Sequence, residues 1–354
     1  MSDAKKIWTM GGMSDKVRED TDLLEEDPDE QFITLSMMIG YFNEAIDEAE
    51  AEIMTIREDY FRTFDYMPII EGVSEYPMPS NIYLQKLRGL VYANGTVIYP
   101  IHRFHTSQKF TGMAFAEQYG ASDDYRYDIY NPSPSEGEKM VLFPPSRETA
   151  ILPPLDSQFT PIKRWYIRNA NRVPLVDDYT NVEIIRSDAI NTVTNIITVD
   201  PVFPYVTGDV VQVFLDDFAY LGGAILPTGL VADTDYYVIR ATDTTIKLAT
   251  TLVNAQAGTP IDLTNGGTNA FSMKVKATEA IIRATIIDIP QFSTFIMEWV
   301  KANCLYKDGD PRLVGCVAKI EQQRKMMQDV LPQAQEDEDQ GLIEADFSFY
   351  TEMN

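Results

Sequence analysis

Between residues 30 and 60 the apolar positions Phe32, Leu35, Ile39, Phe42, Ala45, Ala49, Ile53, Ile56 and Tyr60 recur at steps of three and four. That spacing gathers side chains on one face of a helix, so one buried-faced helix is expected over 30–60. Asp27 suits its N-cap, Pro28 its first position, and Glu30 the third residue of a capping box. At 1.5 Å per residue it would reach roughly 45 Å, more than one compact core usually needs. The opposite face is acidic: Glu44, Asp47, Glu48, Glu50, Glu52, Glu58 and Asp59 meet Arg57 alone.

The period then changes. Segments 66–70 and 76–77 flank Glu71-Gly72, and 84–92 and 96–101 flank Asn94-Gly95, a strong hairpin signal. Further strands are expected at 125–130, 139–143 and 159–168, with a short helix over 104–118. From 175 to 285 Thr, Val, Asp and Gly dominate and no helical period appears. This stretch predicts an all-β domain, sandwich or barrel-like, with strands at 192–199, 210–214, 235–241, 245–250, 271–275 and 280–286. Helical spacing returns with Phe292, Phe295, Ile296, Trp299 and Val300 over 291–306. It returns again with Leu313, Cys316, Val317, Ile320 and Met327 over 312–331, where Pro332 is a stop signal.

The expected fold is therefore α+β: a helical bundle frame of one long N-terminal helix and two C-terminal helices, antiparallel strands, and an inserted all-β domain. The expected division is a flexible arm over 1–27 with Trp8 as its anchor, a core of 28–174 plus 286–331, the β domain at 175–285, and an acidic tail at 332–354. In that tail Leu342, Ile343, Phe347, Phe349 and Tyr350 are candidates for docking into a partner's groove.

With 354 residues, 45% of them hydrophobic and 23% charged, the chain can bury one large or two moderate cores. The formal net charge of −25 argues against any broad grip on nucleic acid, because phosphate binding needs Lys and Arg. No apolar run approaches bilayer length, and the opening MSDAKKIWTMGG lacks the apolar stretch of a signal peptide, so synthesis in a cytoplasm is expected. Cys304 and Cys316 are too few for a disulfide framework.

Catalytic chemistry finds few candidates. Neither common phosphate-loop spacing, nor a nucleophile elbow, nor a zinc-spaced Cys pair is present. His102 and His105 lack a third ligand set by spacing, and carboxylates are too abundant for any pair to mark a glycosidase site. Asp216-Asp217 and Asp233-Thr234-Asp235 lack the periodic loop of a dedicated calcium site and suit ordinary turns. No enzyme activity, metal or cofactor is expected. The basic cluster Lys163, Arg164, Arg168 and Arg172 is either an ordinary surface strand or a socket for an acidic surface of a neighbouring copy.

The order of these parts and several local phrases resemble the head-to-tail adaptor, or connector, proteins of short-tailed bacteriophages. The phrases are FNEAIDEAEAEI, PIIEGVSEYPMPSNIYLQKLRGLVYANG, YRYDIY, MVLFPPS, IKRWYIRNANRVP and DIPQFSTFIMEWVKANCLYKDGDPRLVGCVAKIEQQ. They cover residues 28–174 and 286–331. In simple members a short acidic loop follows the strand at Trp165 to Arg172; here about a hundred residues occupy it, as a surface loop tolerates. That insert is similar to small β modules of phage tail and baseplate proteins.

The resemblance implies a structural virion protein of the neck, assembled in a bacterial cytoplasm. It would form a homo-oligomeric ring of roughly twelve copies beneath the portal, closed by rotation. Its partners would be the portal protein, a downstream tail or second ring protein, and tail fibres through the β domain; DNA would be cargo in the channel, with no membrane. Glu44, Asp47, Glu48, Glu50 and Glu52 are then candidate channel-lining or subunit-contact acids, and the tail's apolar residues candidate portal or neighbour contacts. Two readings of other classes stand beside it: a receptor-binding or fibre-docking protein acting through the β domain, and a glycan-cleaving virion enzyme.

Overall fold

The computed structural model describes residues 8–23, 33–67, 74–94, 97–103, 126–130, 139–143, 162–200, 205–215, 225–268 and 270–351, with backbone alone over 333–351. The fold is α+β. Its helices are α1 (Met10–Thr21), α2 (Leu35–Ile56), α3 (Leu252–Gln256), α4 (Glu279–Ala284), α5 (Ser293–Asp308) and α6 (Leu313–Thr351).

Where one long N-terminal helix was expected there are two shorter ones. Helix α2 has 22 residues, about 33 Å, and its N-cap is Thr34, whose hydroxyl accepts from the Met37 N–H at 3.3 Å. Asp27, Pro28, Glu30 and Phe32 lie outside the described residues. At its other end the chain turns at 58–60 and buries Phe61 at the start of β1 (Arg62–Met67), so Tyr60 belongs to the turn. Glu58 and Asp59 hold this turn by ion pairs to Lys86 and Arg88.

The expected flexible arm contains α1. Thr9 caps it, and Met10, Met13 and Val17 at steps of three and four are fully buried. Its glycines hid it from propensity, but one is required: a Cβ on Gly11 would sit 2.9 Å from the Arg283 carbonyl oxygen of α4. Helices α1, α2, α5 and α6 share a core with Phe42, Ile46, Ile53, Phe295 and Ile296, each fully buried. Each such side chain is worth about 1.5–3 kcal/mol of burial.

Two four-stranded sheets follow. One has the order β1, β8 (Ile162–Arg168), β3 (Ile82–Asn94), β4 (Val97–Pro100); the other has β2 (Glu75–Pro77), β7 (Lys139–Phe143), β6 (Arg126–Tyr130), β5 (His102–Arg103). All pairs are antiparallel except the short β5–β6 pair. The hairpin at Asn94 has the expected register, Tyr92 facing Tyr99 and Asn94 facing Val97. Tyr76, Leu90, Met140, Leu142 and Ile162 join both sheets in a second core. The helix expected over 104–118 lies outside the described residues.

The β domain is a single seven-stranded antiparallel sheet among the described residues, not a sandwich or barrel. Its order is β10 (Ile190–Asn191), β11 (Ile196–Thr198), β14 (Thr245–Ala249), β13 (Asp235–Thr242), β12 (Val210–Phe214), β15 (Ala270–Lys276), β9 (Tyr179–Arg186). One buried face carries Val211, Val213, Val238, Leu248 and Met273, and Tyr205, Leu226, Leu230 and Leu263 from loops pack into the same core. Of the strand expected over 192–199 only β11 is strand; residues 192–195 are the turn that joins it to β10, in which Asn195 takes φ +55°. The strand expected over 280–286 is α4, started by Thr278, whose hydroxyl accepts from the Ile281 N–H. Strand β9 had no forecast, and it pairs with β15, so the entry and exit strands of the domain are neighbours, Tyr179 opposite Lys276.

Pro332 does not end the last helix. Helix α6 runs through it for 39 residues, about 58 Å, and Leu331 beside the proline is buried. The expected tail is thus backbone helix as far as Thr351.

Candidate assembly surfaces

Alternation along β8 decides where its basic residues go. Arg164 faces the second core, where its guanidinium donates to both Asp65 carboxylate oxygens, at 2.8 and 2.5 Å, and to the Pro77 carbonyl at 2.8 Å. Lys163 and Trp165 face the other way. The Lys163 ammonium lies 3.9 Å from the Phe64 ring centre and 4.5 Å from that of Trp165, and burial holds its pKa below the ordinary lysine value.

Past the strand, residues 169–173 form a strap across α2. Glu50 is 5% exposed, and its carboxylate accepts from the Ala170 N–H at 2.5 Å and from Arg172 at 2.7 Å. Arg172 also pairs with Asp47 and donates to the Ala170 carbonyl. Asn43 completes the joint, accepting from the Val173 N–H and donating to the Val173 carbonyl. Arg168 reaches Asp288 at 2.6 Å, and the Asn171 N–H donates to the same oxygen at 3.1 Å. The basic cluster therefore ties the strand to α2 and to the approach of α5. A socket built from it would first have to give up Asp65, Asp288, Asp47 and Glu50.

The acidic face of α2 is divided in the same way. Glu50 is inside the chain, which removes it from any channel lining. Its position was readable: it lies four residues after Ile46 and three before Ile53, on the buried stripe. Glu48 pairs with Arg324 of α6 at 3.4 Å, and Glu52 accepts from Gln328 at 2.9 Å. Glu44 and Asp47 are exposed. Of the five acids, Asp47 and Glu50 thus meet the strap, and Glu48 and Glu52 meet α6.

Helices α5 and α6 enclose a groove of about 360 Å³ on their outer side. Trp299, Ala302, Asn303 and Tyr306 bring one wall at helical spacing; Leu313, Val317, Ile320, Glu321 and Arg324 bring the other. The groove is apolar and open, with Tyr306 75% and Val317 48% exposed. Arg324 stands over the Trp299 ring at 5.8 Å and pairs with Glu321 at 2.9 Å. No single forecast singled out this groove, although its residues were expected on the two helices. The signal is an apolar stripe on α6 too wide for one core: Cys316, Ile320 and Met327 are buried, while Val314, Val317 and Val330 are exposed.

The remaining candidates form no further site among the described residues. No group of acids, cysteines and histidines among the described residues is arranged to hold a metal ion. His102 is exposed on β5, while His105, Asp216 and Asp217 lie outside the described residues. Asp235 is engaged by Tyr179 and Gln212. Cys304 and Cys316 are free buried thiols, and burial pushes the Cys304 thiol up to about 11. No described helix is long and apolar enough to cross a membrane. Leu342, Ile343, Phe347, Phe349 and Tyr350 fall on α6 where the backbone alone is described.

No protein-family model matches the chain, and no curated protein matches it.

Proposed function

We propose that this protein is a head-to-tail adaptor of a short-tailed bacteriophage, forming a ring of roughly twelve copies beneath the portal and extending the DNA channel into the tail. In this reading α1, α2, α5 and α6 are the bundle frame, and the β domain is an insert displayed from it. The observation that carries the reading is the joint at both ends of the insert. Asp178 accepts from the Ala277 N–H at 2.7 Å, the Asp177 N–H donates to the Ala277 carbonyl at 3.2 Å, and β9 pairs with β15. The chain on either side closes on one helical core, the order of parts that the adaptor resemblance requires.

The net charge of −25 fits a channel wall past which DNA slides without adhering. Glu44 and Asp47 are the acids of α2 best exposed for that wall or for a neighbour. The protein acts as a virion component, with the portal above and a tail or second ring protein below, and no catalysis. Mixing the purified chain with portal protein and counting copies by native mass spectrometry tests the reading. A closed ring on the portal is expected; a chain that never joins the portal overturns it.

A second reading, receptor or fibre docking through the β domain, draws on the separate core of that domain and on its exposed Val193, Val231 and Val253. Particles built with the domain removed would then assemble normally and fail to adsorb.

A further inference from the structure

We infer that Leu84 of one copy of this chain seats in the groove between α5 and α6 of a second copy. The inference rests on the ring reading and deepens it by naming the contact between neighbours. Its first support is a strained bulge in β3. Ile82 lies opposite Arg168 and Leu87 opposite Tyr166, so four residues of β3 stand against one of β8. Within the four, Leu84 and Gln85 take φ +42° and +59°, the left-handed region that Gly enters freely and a bulky side chain avoids. The strain does not serve burial, since Leu84 is 74% exposed. Nor is the bulge loose. Tyr83 packs on the helical core, Asn81 accepts from the Tyr166 hydroxyl and the Asn169 N–H, and Lys86 pairs with Glu58 at 2.7 Å. An apolar side chain held outside on a strained and braced support is held for a contact.

The second support is the groove itself. It is open and apolar, and Trp299 and Tyr306 are residue types that carry binding energy in interface pockets. At about 360 Å³ it stands at the small end of specific pockets and suits one aliphatic anchor with its flanks rather than a whole helix.

The third is position. Helices α2 and α5 run antiparallel: Tyr60 donates to Gln291 at 3.2 Å at one end, and Lys307 meets the Met37 sulfur at 3.2 Å at the other. The bulge is tied to Glu58 at the first end, whereas Tyr306 lies roughly 22 Å along α5 toward the second. Leu84 and Tyr306, 74% and 75% exposed, do not cover each other within one chain. Joined between copies they make a heterologous, head-to-tail contact, the kind that closes rings.

Three substitutions at position 84 of the full chain test this. Leu84→Asn removes the apolar side chain but tolerates the left-handed backbone, so it should melt no earlier than the wild type, while self-association by sedimentation velocity should weaken at least tenfold. Leu84→Met, still apolar, should retain the association. Leu84→Cys mixed with Tyr306→Cys or Val317→Cys should give disulfide-linked dimers on mild oxidation that no variant gives alone, because Cys304 and Cys316 are buried. Should Leu84→Asn melt early, the cysteine pairs decide. The inference fails if the wild type stays monomeric at every concentration, if Leu84→Asn associates like the wild type, if Leu84→Met associates no better than Leu84→Asn, or if neither groove variant links to Leu84→Cys. A Leu84→Asn chain that completes a normal ring on the portal would sink this contact while leaving the adaptor reading intact. A wild type that links through these residues yet never joins the portal would do the reverse.

Discussion

The helical core and the β domain are built on opposite plans. The helical core is assembled from both ends of the chain: Phe42 and Phe295 share it although more than two hundred residues separate them. Carboxylates paired with guanidinium and ammonium groups fasten it, at Arg172 to Glu50, Arg168 to Asp288, and Lys301 to Asp20 and Glu298. The β domain is contiguous, and hydrogen bonds of neutral groups and carboxylates replace most of those ion pairs. The Tyr205 hydroxyl and the Asp200 N–H donate to Glu183, and the Val231 N–H donates to Tyr236. A contiguous unit can be removed whole; a unit made from distant segments cannot lose any one of them.

The strongest way to break this comparison is to excise 179–276 and join Asp178 to Ala277 by a short Gly-Ser link. The expected outcome is loss of one complete unfolding transition by calorimetry, with the helical circular-dichroism signal retained. Collapse of the helical signal would mean that the two regions fold as one unit. Next in size is Phe42→Ala, which empties a fully buried site and should cost about 3–5 kcal/mol in the helical transition alone. Denaturant titration that shifts both transitions equally would contradict the separation.

Arg172→Ala strips a buried Glu50 of its cation. Arg172 is itself 35% exposed, so the loss should be about 2 kcal/mol, below that of a fully buried pair. Adding Glu50→Gln should recover part of it, and a double-mutant cycle reads the coupling.

The smallest effect is in pH. Hydrogen bonds from Lys86 and Arg88 hold the Glu58 carboxyl down at about 2, whereas burial raises that of Glu183. A lowered carboxyl stabilises the fold above its ordinary range and loses this as pH falls toward 2. A raised one is penalised at neutral pH and relieved by acid. Acidification from neutral pH to the ordinary carboxylate range should therefore favour the β domain, and further acidification toward pH 2 should weaken the turn after α2. Glu58 is nearly half exposed, so Glu58→Gln should change stability by less than about 1 kcal/mol, seen as a flatter pH dependence of the helical transition.

Much of this was legible where the signal is local. The α5 and α6 stripes, the hairpin at Asn94 and the strands at 139–143 and 210–214 follow from spacing and turn residues within a few positions. What escaped depends on distant partners. Helix α1 carries Gly11 because Arg283 of α4 packs against it, so the residue that lowers helix propensity is the one the packing requires. Strand β9 is defined by β15, about ninety residues away, and no pattern within 179–186 announces that pairing. Pro332 reads as a stop, yet α6 continues through it. The candidate surfaces divide likewise: the acids of α2 could be enumerated, but which of them the strap and α6 would cover was fixed by contacts the sequence does not spell out.

The junction of β9 and β15 also has a mechanical meaning. A load applied to the far edge of the β domain reaches the helical core through two strands side by side, entering at Tyr179 and leaving at Lys276. The tension is shared at one point of attachment, behind which Asp177 pairs with Lys276 at 3.2 Å and Arg168 holds Asp288. Whatever pulls on the domain would meet a two-stranded tether anchored on both sides, so the helical core can hold its shape while the domain is tugged.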